Sequence, residues 1–398
     1  TYPDKTMYPV ASCNEQDFKN LMHVYLDAVF FPNIYEKEEI FRQEGWHYEL
    51  EEEDGPLKLN GVVYNEMKGA FSSPEDVLER EIFNSLFPDT PYGVESGGDP
   101  KHIPELKYSD FLSFHSRYYH PANSYIYLYG DMDMEERLNW LDKEYLSQYD
   151  KIPVPSEIPL QKPFEKVREL EMEYSITESE PEEENSYLSY NVVVGDSLDV
   201  ETCTAFEVLD YTLLSAPGAP LKQALLDAGI GKDIMGSYED GIYQPFFSIV
   251  AKNANPQDKE KFVSLIQTTL KEIAENGVDQ KAIAAGINYM EFRFREADFS
   301  SFPKGLMYGI DVFDSWLYDD SKPFDHVMRL AVFEKLKEKA NTGYFEELIE
   351  KYLLTNTHAS IVVVNPKRGL AVQEDRELEE KLAAYKASLS QEEIQRLV

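Results

Sequence analysis

Glu66 stands in an apolar setting. Wound as a helix at about 100° per residue, LKLNGVVYNEMKGAF (57–71) places Leu59, Val62, Val63, Met67 and Ala70 on one face. Asn60, Tyr64, Asn65 and Lys68 fall elsewhere, and Glu66 lands in the middle of the apolar stripe. An ionised carboxylate is costly to bury unless it is paired or bound to a metal. Glu66 therefore meets an Arg or Lys, is protonated, faces an open cleft, or ligates a cation.

Histidine is the usual companion of a carboxylate in a zinc site. The chain has seven: His23, His47, His102, His115, His120, His326 and His358. His115 and His120 share a helical stretch, but five residues turn about 500°, so the two rings point about 140° apart. A metal pair wants i, i+4 instead. His120 precedes Pro121 and reads as a helix end, and His23 and His47 sit in amphipathic runs as packed or surface residues. Neither a G-x-S-x-G nucleophile elbow nor a G-x-x-x-x-G-K-[ST] phosphate loop occurs. Gly97-Gly98 reads as a turn that would also let a backbone approach a ligand closely. The aromatic run SSFPKGLMYGIDVFDSWLYDD (300–320) reads as core, with a pocket lining as the alternative.

The elements that would hold these residues follow from patterning. The opening TYPDKTMYPVAS reads as part of a sheet. Asn14 caps a helix through DFKNLMHVYLDAVF, and Ser73-Pro74-Glu75-Asp76 starts another. GWHYELEEEDGPLKLNG reads as a strand, an acidic turn and the start of the Glu66 helix. YSDFLSFHSRYYH reads as a helix and NSYIYLYGD as a strand. Prolines at 153, 155, 159 and 163 make 151–163 a stiff, extended linker. Beyond it, KVRELEMEY, SYLSYNVVVGD and QPFFSIVAK read as strands, and 201–214, 219–228, 256–276 and 279–296 as helices. YYHPANSYIYLYGD and YLLTNTHASIVVVNP end the two parts alike, which suggests two copies of one unit. The fold class is α+β: two tandem α/β units, each a mainly antiparallel sheet packed with helices, the first incomplete at its N-terminal side. The divisions fall at 1–150, 151–163, 164–371 and a helical, highly charged 372–398.

Composition narrows the partners. With 398 residues and 42% hydrophobic content, the chain can bury two cores. No run of about 18 apolar residues offers a membrane span. A formal charge of −36 argues against nucleic acid and anionic lipid. Cys13 and Cys203, far apart, argue against a disulfide scaffold or a zinc–thiolate site, and the low cysteine content favours an intracellular setting. The chain begins with Thr1 rather than Met, in what reads as mid-sheet, as a piece of a longer protein would.

Three stretches carry a resemblance to a known family. GVVYNEMKGAFSSPEDVLEREI, PYGVESGGDPKHIPEL and FHSRYYHPANSYIYLYGD, with QEGWHYEL before them, resemble the pitrilysin/insulinase-type zinc metallopeptidases, and among these the presequence-protease branch. The resemblance implies an H-x-x-E-H motif with two His ligands and a Glu general base, and a third ligand from a downstream helix. That third ligand matches Glu66. It also implies peptide substrates added as a β-strand to a sheet edge, with Thr1 and Tyr2 near the end of that edge.

H-x-x-E-H is absent from these residues. The expectation is therefore a part of a zinc endopeptidase that degrades short unfolded peptides with metal-activated water. Alone it would be inert and would retain no zinc. Its partners would be the segment preceding it, a C-terminal half reached through 372–398, and peptide substrates, with basic ones favoured by charge. The alternative is a non-catalytic structural or peptide-holding homologue of the same family.

Overall fold

A computed structural model describes residues 1–297 and 299–398. The first part is mostly helical: α1 (Glu15–Phe30), α2 (Glu38–Glu44), a hairpin of β1 (His47–Glu49) and β2 (Lys58–Asn60), α3 (Val62–Ala70), α4 (Pro74–Leu86), α5 (Tyr108–Tyr118) and α6 (Met134–Glu144). The caps lie where sequence puts them. Asn14 accepts from the Asp17 amide, and Ser73 accepts from the Asp76 amide with Pro74 in the first turn.

After the extended 151–163 segment comes a five-stranded sheet of β3 (Arg168–Ile176), β4 (Ser186–Val193), β5 (Asp233–Glu239), β6 (Phe246–Ala254) and β7 (Ala359–Arg368). The spatial order is β3-β7-β4-β6-β5; β3 and β7 run parallel and the other three pairs antiparallel. Helices α7 (Val200–Asp210), α8 (Pro220–Asp227), α9 (Lys259–Asn276), α10 (Gln280–Glu296), α11 (Lys304–Trp316), α12 (Leu330–Lys339) and α13 (Tyr344–Leu348) are interleaved with these strands. Two more, α14 (Leu370–Ser388) and α15 (Gln391–Leu397), close the chain.

Every residue of β4 is buried because the sheet is covered on both faces. One face presents Leu188, Tyr190, Ile361 and Val363 to Phe206, Phe262, Ile266 and Phe333 of the second part's own helices. The other presents Tyr187, Val193, Val362 and Val364 to Val77, Leu78, Ile82 and Leu86 of α4, a helix of the first part. Polar groups under α4 pair with one another. Ser85 Oγ donates to Ser360 Oγ at 2.7 Å, Ser248 Oγ donates to Asn191 Oδ1 at 2.7 Å, and His358 Nε2 reaches the Leu86 carbonyl at 2.9 Å. Gln161, at the end of the proline-rich segment, is buried between Asp89 and Gln244.

Several expectations need correction. The opening TYPDKTMYPVAS forms no strand among the described residues. It makes a turn, with the Tyr2 amide donating to the Lys5 carbonyl, and is anchored by side chains. Asp4 accepts from the hydroxyls of Tyr92 (2.6 Å) and Tyr318 (2.5 Å), and Lys5 Nζ reaches the Gly241 carbonyl at 2.9 Å. NSYIYLYGD is extended but joins no ladder among the described residues. A strand needs a neighbouring strand, and here the alternating tyrosines meet a helix. Tyr125 stands edge-on to Trp316 at 4.7 Å, while Tyr127 and Tyr129 lie over Gly309 and Gly305 of α11. Leu59 belongs to β2 and not to the Glu66 helix. Sequence patterning also passed over β5, where Gly236 stands among polar residues and lets Leu214 and Asp210 approach.

Candidate functional site

Two of the stretches that carry the family resemblance, QEGWHYEL and PYGVESGGDPKHIPEL, meet at α3. Its N-terminus begins at Gly61, at φ +149°, where a β-carbon would stand 2.3 Å from the Gly45 carbonyl oxygen and 2.7 Å from Trp46 Cα. Only glycine lets the helix start that close to the QEGWHYEL backbone. The Gly45 carbonyl accepts from the Tyr64 amide, and β1 and β2 pair with His47 opposite Asn60. The Asn60 side chain ties the junction, accepting from the Gly61 amide (2.8 Å) and Asn65 Nδ2 (2.7 Å) and donating to Glu49 at 2.9 Å. On the other side the SGGDP loop presses on the helix, because a β-carbon at Gly97 would lie 2.3 Å from Met67 Sδ. Trp46 Nε1 donates to the Leu106 carbonyl at 2.9 Å, and Phe41, Trp46, Tyr64, Met67 and Ile103 form the small core beneath.

This core corrects the stripe inferred from sequence. Tyr64 and Met67, three residues apart, are the buried pair, whereas Val62 is 51% exposed and Glu66 is exposed. Glu66 thus lies on the open side of a helix whose other side is held firmly. Among the described residues it has no hydrogen-bond or ion-pair partner. Its neighbour Lys68 is paired at 2.7 Å with Asp375 of α14, which favours the charged ammonium and raises its pKa. Burial pushes the Tyr64 phenol up, with Lys68 opposing.

Helix α14 straps the region from above. Lys101 meets Glu374 at 2.8 Å, Tyr385 stacks on Tyr48 at 4.9 Å, and Lys386 Nζ caps the Glu53 carbonyl at 2.7 Å. Leu382 packs with Leu50 and Leu57. Sequence reading took this segment for a helical connector, and its contacts with β1, β2 and α3 carried no local signal.

The histidines are engaged singly. His115 lies between the Val29 carbonyl and the Tyr35 hydroxyl, His120 accepts from the Ala122 amide, and His326 meets the Ser197 carbonyl. Among the described residues no three His, Cys, Asp or Glu side chains come together as a metal shell. Thr1 and Tyr2 are exposed, and no hydrogen bond or ring contact links them to α3 among the described residues. No helix among the described residues is long and apolar enough to cross a membrane.

Residues 105–290 match the family described as Peptidase M16 inactive domain. The chain is 48% identical over 398 residues to Protein HypA of Clostridium perfringens, covering all of this chain and 41% of that protein. It is 39% identical to presequence protease 1, chloroplastic/mitochondrial, of Arabidopsis thaliana, covering all of this chain and 37% of that protein. This chain belongs to the pitrilysin/insulinase-type (M16) peptidases, in the presequence-protease branch. It spans about two-fifths of the length of these relatives. Two solved structures share the fold. The first half of the periplasmic protease PqqL from Escherichia coli has a TM-score of 0.58 at 12% identity, covering 98% of this chain and 75% of that one. The peptidase M16 inactive domain from Pseudomonas fluorescens has a TM-score of 0.56 at 17% identity, covering 77% of this chain and 69% of that one.

Proposed function

We propose that this M16 chain is part of a zinc endopeptidase acting on short unfolded peptides, and that Glu66 is its contribution to the metal shell. The carrying observation is an exposed, unpartnered carboxylate on a helix immobilised at Gly61 and Gly97. A carboxylate held ready in that way needs little ordering to bind a cation, and zinc accepts Asp or Glu oxygen among its ligands. One carboxylate is not a site, so the residues present do not by themselves fit the metal. The remaining ligands and the general base would come from residues outside this chain. The chemistry such a metal supplies is polarisation of a water and of the scissile carbonyl. Glu66 is given no proton-transfer role, and the chain by itself is expected to be inactive.

The division into a zinc-site part (1–150), a linker (151–163), a non-catalytic part (164–371) and a hinge helix (372–398) belongs to the same reading. The family description "inactive domain" for 105–290 favours a non-catalytic role for much of the chain. Thr1 and Tyr2 are assigned to the substrate-binding edge on the resemblance alone. Substrate charge is a weaker matter: Glu51–Asp54 and Glu178–Glu184 lie almost wholly on exposed turns, where salt screens them.

The test is Glu66→Gln in the full-length enzyme. Zinc content after dialysis and peptidase activity should fall together, by roughly 10–100-fold as in other disturbed metal sites. Unchanged zinc content with unchanged activity would remove Glu66 from the metal shell.

A further inference from the structure

Between helices α1 and α6 lies an open cleft of about 380 Å³, lined by Lys19, Asn20, Met22, His23, Arg137 and Trp140 among others. Arg137 is the unusual member. Its side chain is only 4% exposed, its Nε has no partner, and its terminal nitrogens reach Glu15 and Glu136 only at 3.4 Å. A guanidinium withdrawn from water normally closes on a carboxylate in a short, two-pronged contact. Arg329, elsewhere in the chain, also has an unpartnered Nε but closes tightly on Glu207 through one terminal nitrogen. Here the two glutamates are more than half exposed, and both are shared with Lys19, at 3.1 and 3.2 Å. The guanidinium is therefore under-satisfied beside an open, partly apolar space.

We infer that this cleft is a binding site for an organic carboxylate with an aromatic or aliphatic body. The carboxylate would pair with Arg137 and Lys19, displacing Glu136 into solvent, while the body lies against Trp140 and Met22. The inference stands apart from the metal assignment, because no residue of the cleft belongs to α3 or its supports.

The experiment is titration of the 398-residue chain with N-acetylphenylalanine and with its amide, followed by calorimetry and by Trp140 fluorescence, with Trp140→Phe as the control for the optical signal. The acid should saturate with a Kd in the ~1 mM range, and the amide should bind at least ~10-fold more weakly, as expected for loss of a charged hydrogen bond. Arg137→Gln should weaken the acid ~10-fold or more. Glu136→Gln removes the competing carboxylate and should tighten it; this variant decides the matter even where Arg137→Gln fails to fold. A short peptide ending in free Phe, titrated alongside, separates a peptide C-terminus from a small free acid as the natural source. Equal binding of acid and amide, or no saturation by either, would overturn the proposal. So would an acid affinity indifferent to Glu136→Gln.

Discussion

Met67 and Gly97 touch so closely that a β-carbon on the glycine would stand 2.3 Å from the thioether sulfur. Gly61 has a comparable relationship with Gly45 and Trp46, but there the obstacle is backbone. The two contacts fix α3 from opposite directions, and they differ in how they can yield.

Gly97→Ala and Gly61→Ala should therefore differ in cost. A methionine side chain can change rotamer, so Gly97→Ala should destabilise by roughly 1–3 kcal/mol, as overpacking does. Gly61→Ala adds a backbone collision and a left-handed φ, so its cost should exceed that of Gly97→Ala. Urea unfolding midpoints of the two variants check the order. A milder effect at Gly61 would show that the helix start is not clamped as described.

The strap formed by α14 should depend on its apolar contact more than on its ion pairs. Lys68 and Asp375 are each about half exposed, and exposed pairs contribute ~0–1 kcal/mol. Leu382 is buried against Leu50 and Leu57, and leucine truncation in such a place costs ~2 kcal/mol or more. Leu382→Ala should lower the unfolding midpoint well beyond Lys68→Ala. Hydrogen exchange in residues 47–60 should rise in the first variant and stay nearly unchanged in the second.

Stability should carry a pH signature from half-buried carboxylates near Arg329. Burial, with the Glu207 charge adding to it, pushes Asp240 up to about 7. Burial pushes Asp311 up to about 6, with Arg329 pulling the other way. An unfolded carboxyl titrates near ~3.9, so the folded chain holds these protons more tightly. Their contribution is complete at low pH and is lost as pH rises through about 6 to 7. Buried His326 and His358, whose pKa values are lowered by burial, act in the opposite sense. Comparison with Asp240→Asn isolates one group: the variant should gain stability relative to wild type between pH ~5 and ~8. A difference that stays flat across that window would show that Asp240 titrates normally.

A cut within 151–157 should not separate the chain. That stretch is mostly exposed, but α4 covers one face of the sheet and Gln161 is buried beyond it. A protease site placed there should give a nicked protein that elutes as a single particle and parts only in denaturant. Spontaneous separation would mean that the α4–sheet contact is weaker than its apolar content requires.

The sequence made some of this legible and hid the rest for physical reasons. Caps and continuous apolar runs are local, so α1, α4, β4, β6 and β7 could be read directly. β5 could not, because Gly236 and polar residues blur its period. Tyr125, Tyr127 and Tyr129 imitate a strand perfectly well, but the choice between a ladder and the glycine-bearing side of α11 is made by a partner 180 residues away. Glu66 drew notice for a reason the structure changes: the stripe it interrupts is broken by exposed Val62, and Tyr64 carries the burial. Arg137 gave no sequence signal, since an arginine on a charged helix looks like solvent-facing decoration.

The Ser85–Ser360 contact has a consequence for how such chains diverge. Each hydroxyl is fully buried and meets the other across the boundary between the two parts, while Ser85 also reaches the Ile82 carbonyl and Ser360 also accepts from Asn191 on its own side. A relative that exchanged only its sheet, or only α4, would lose the bond that joins the two sides, while each hydroxyl kept its own-side partner. The two segments thus inherit one buried polar contact in common, although some 270 residues of chain lie between them.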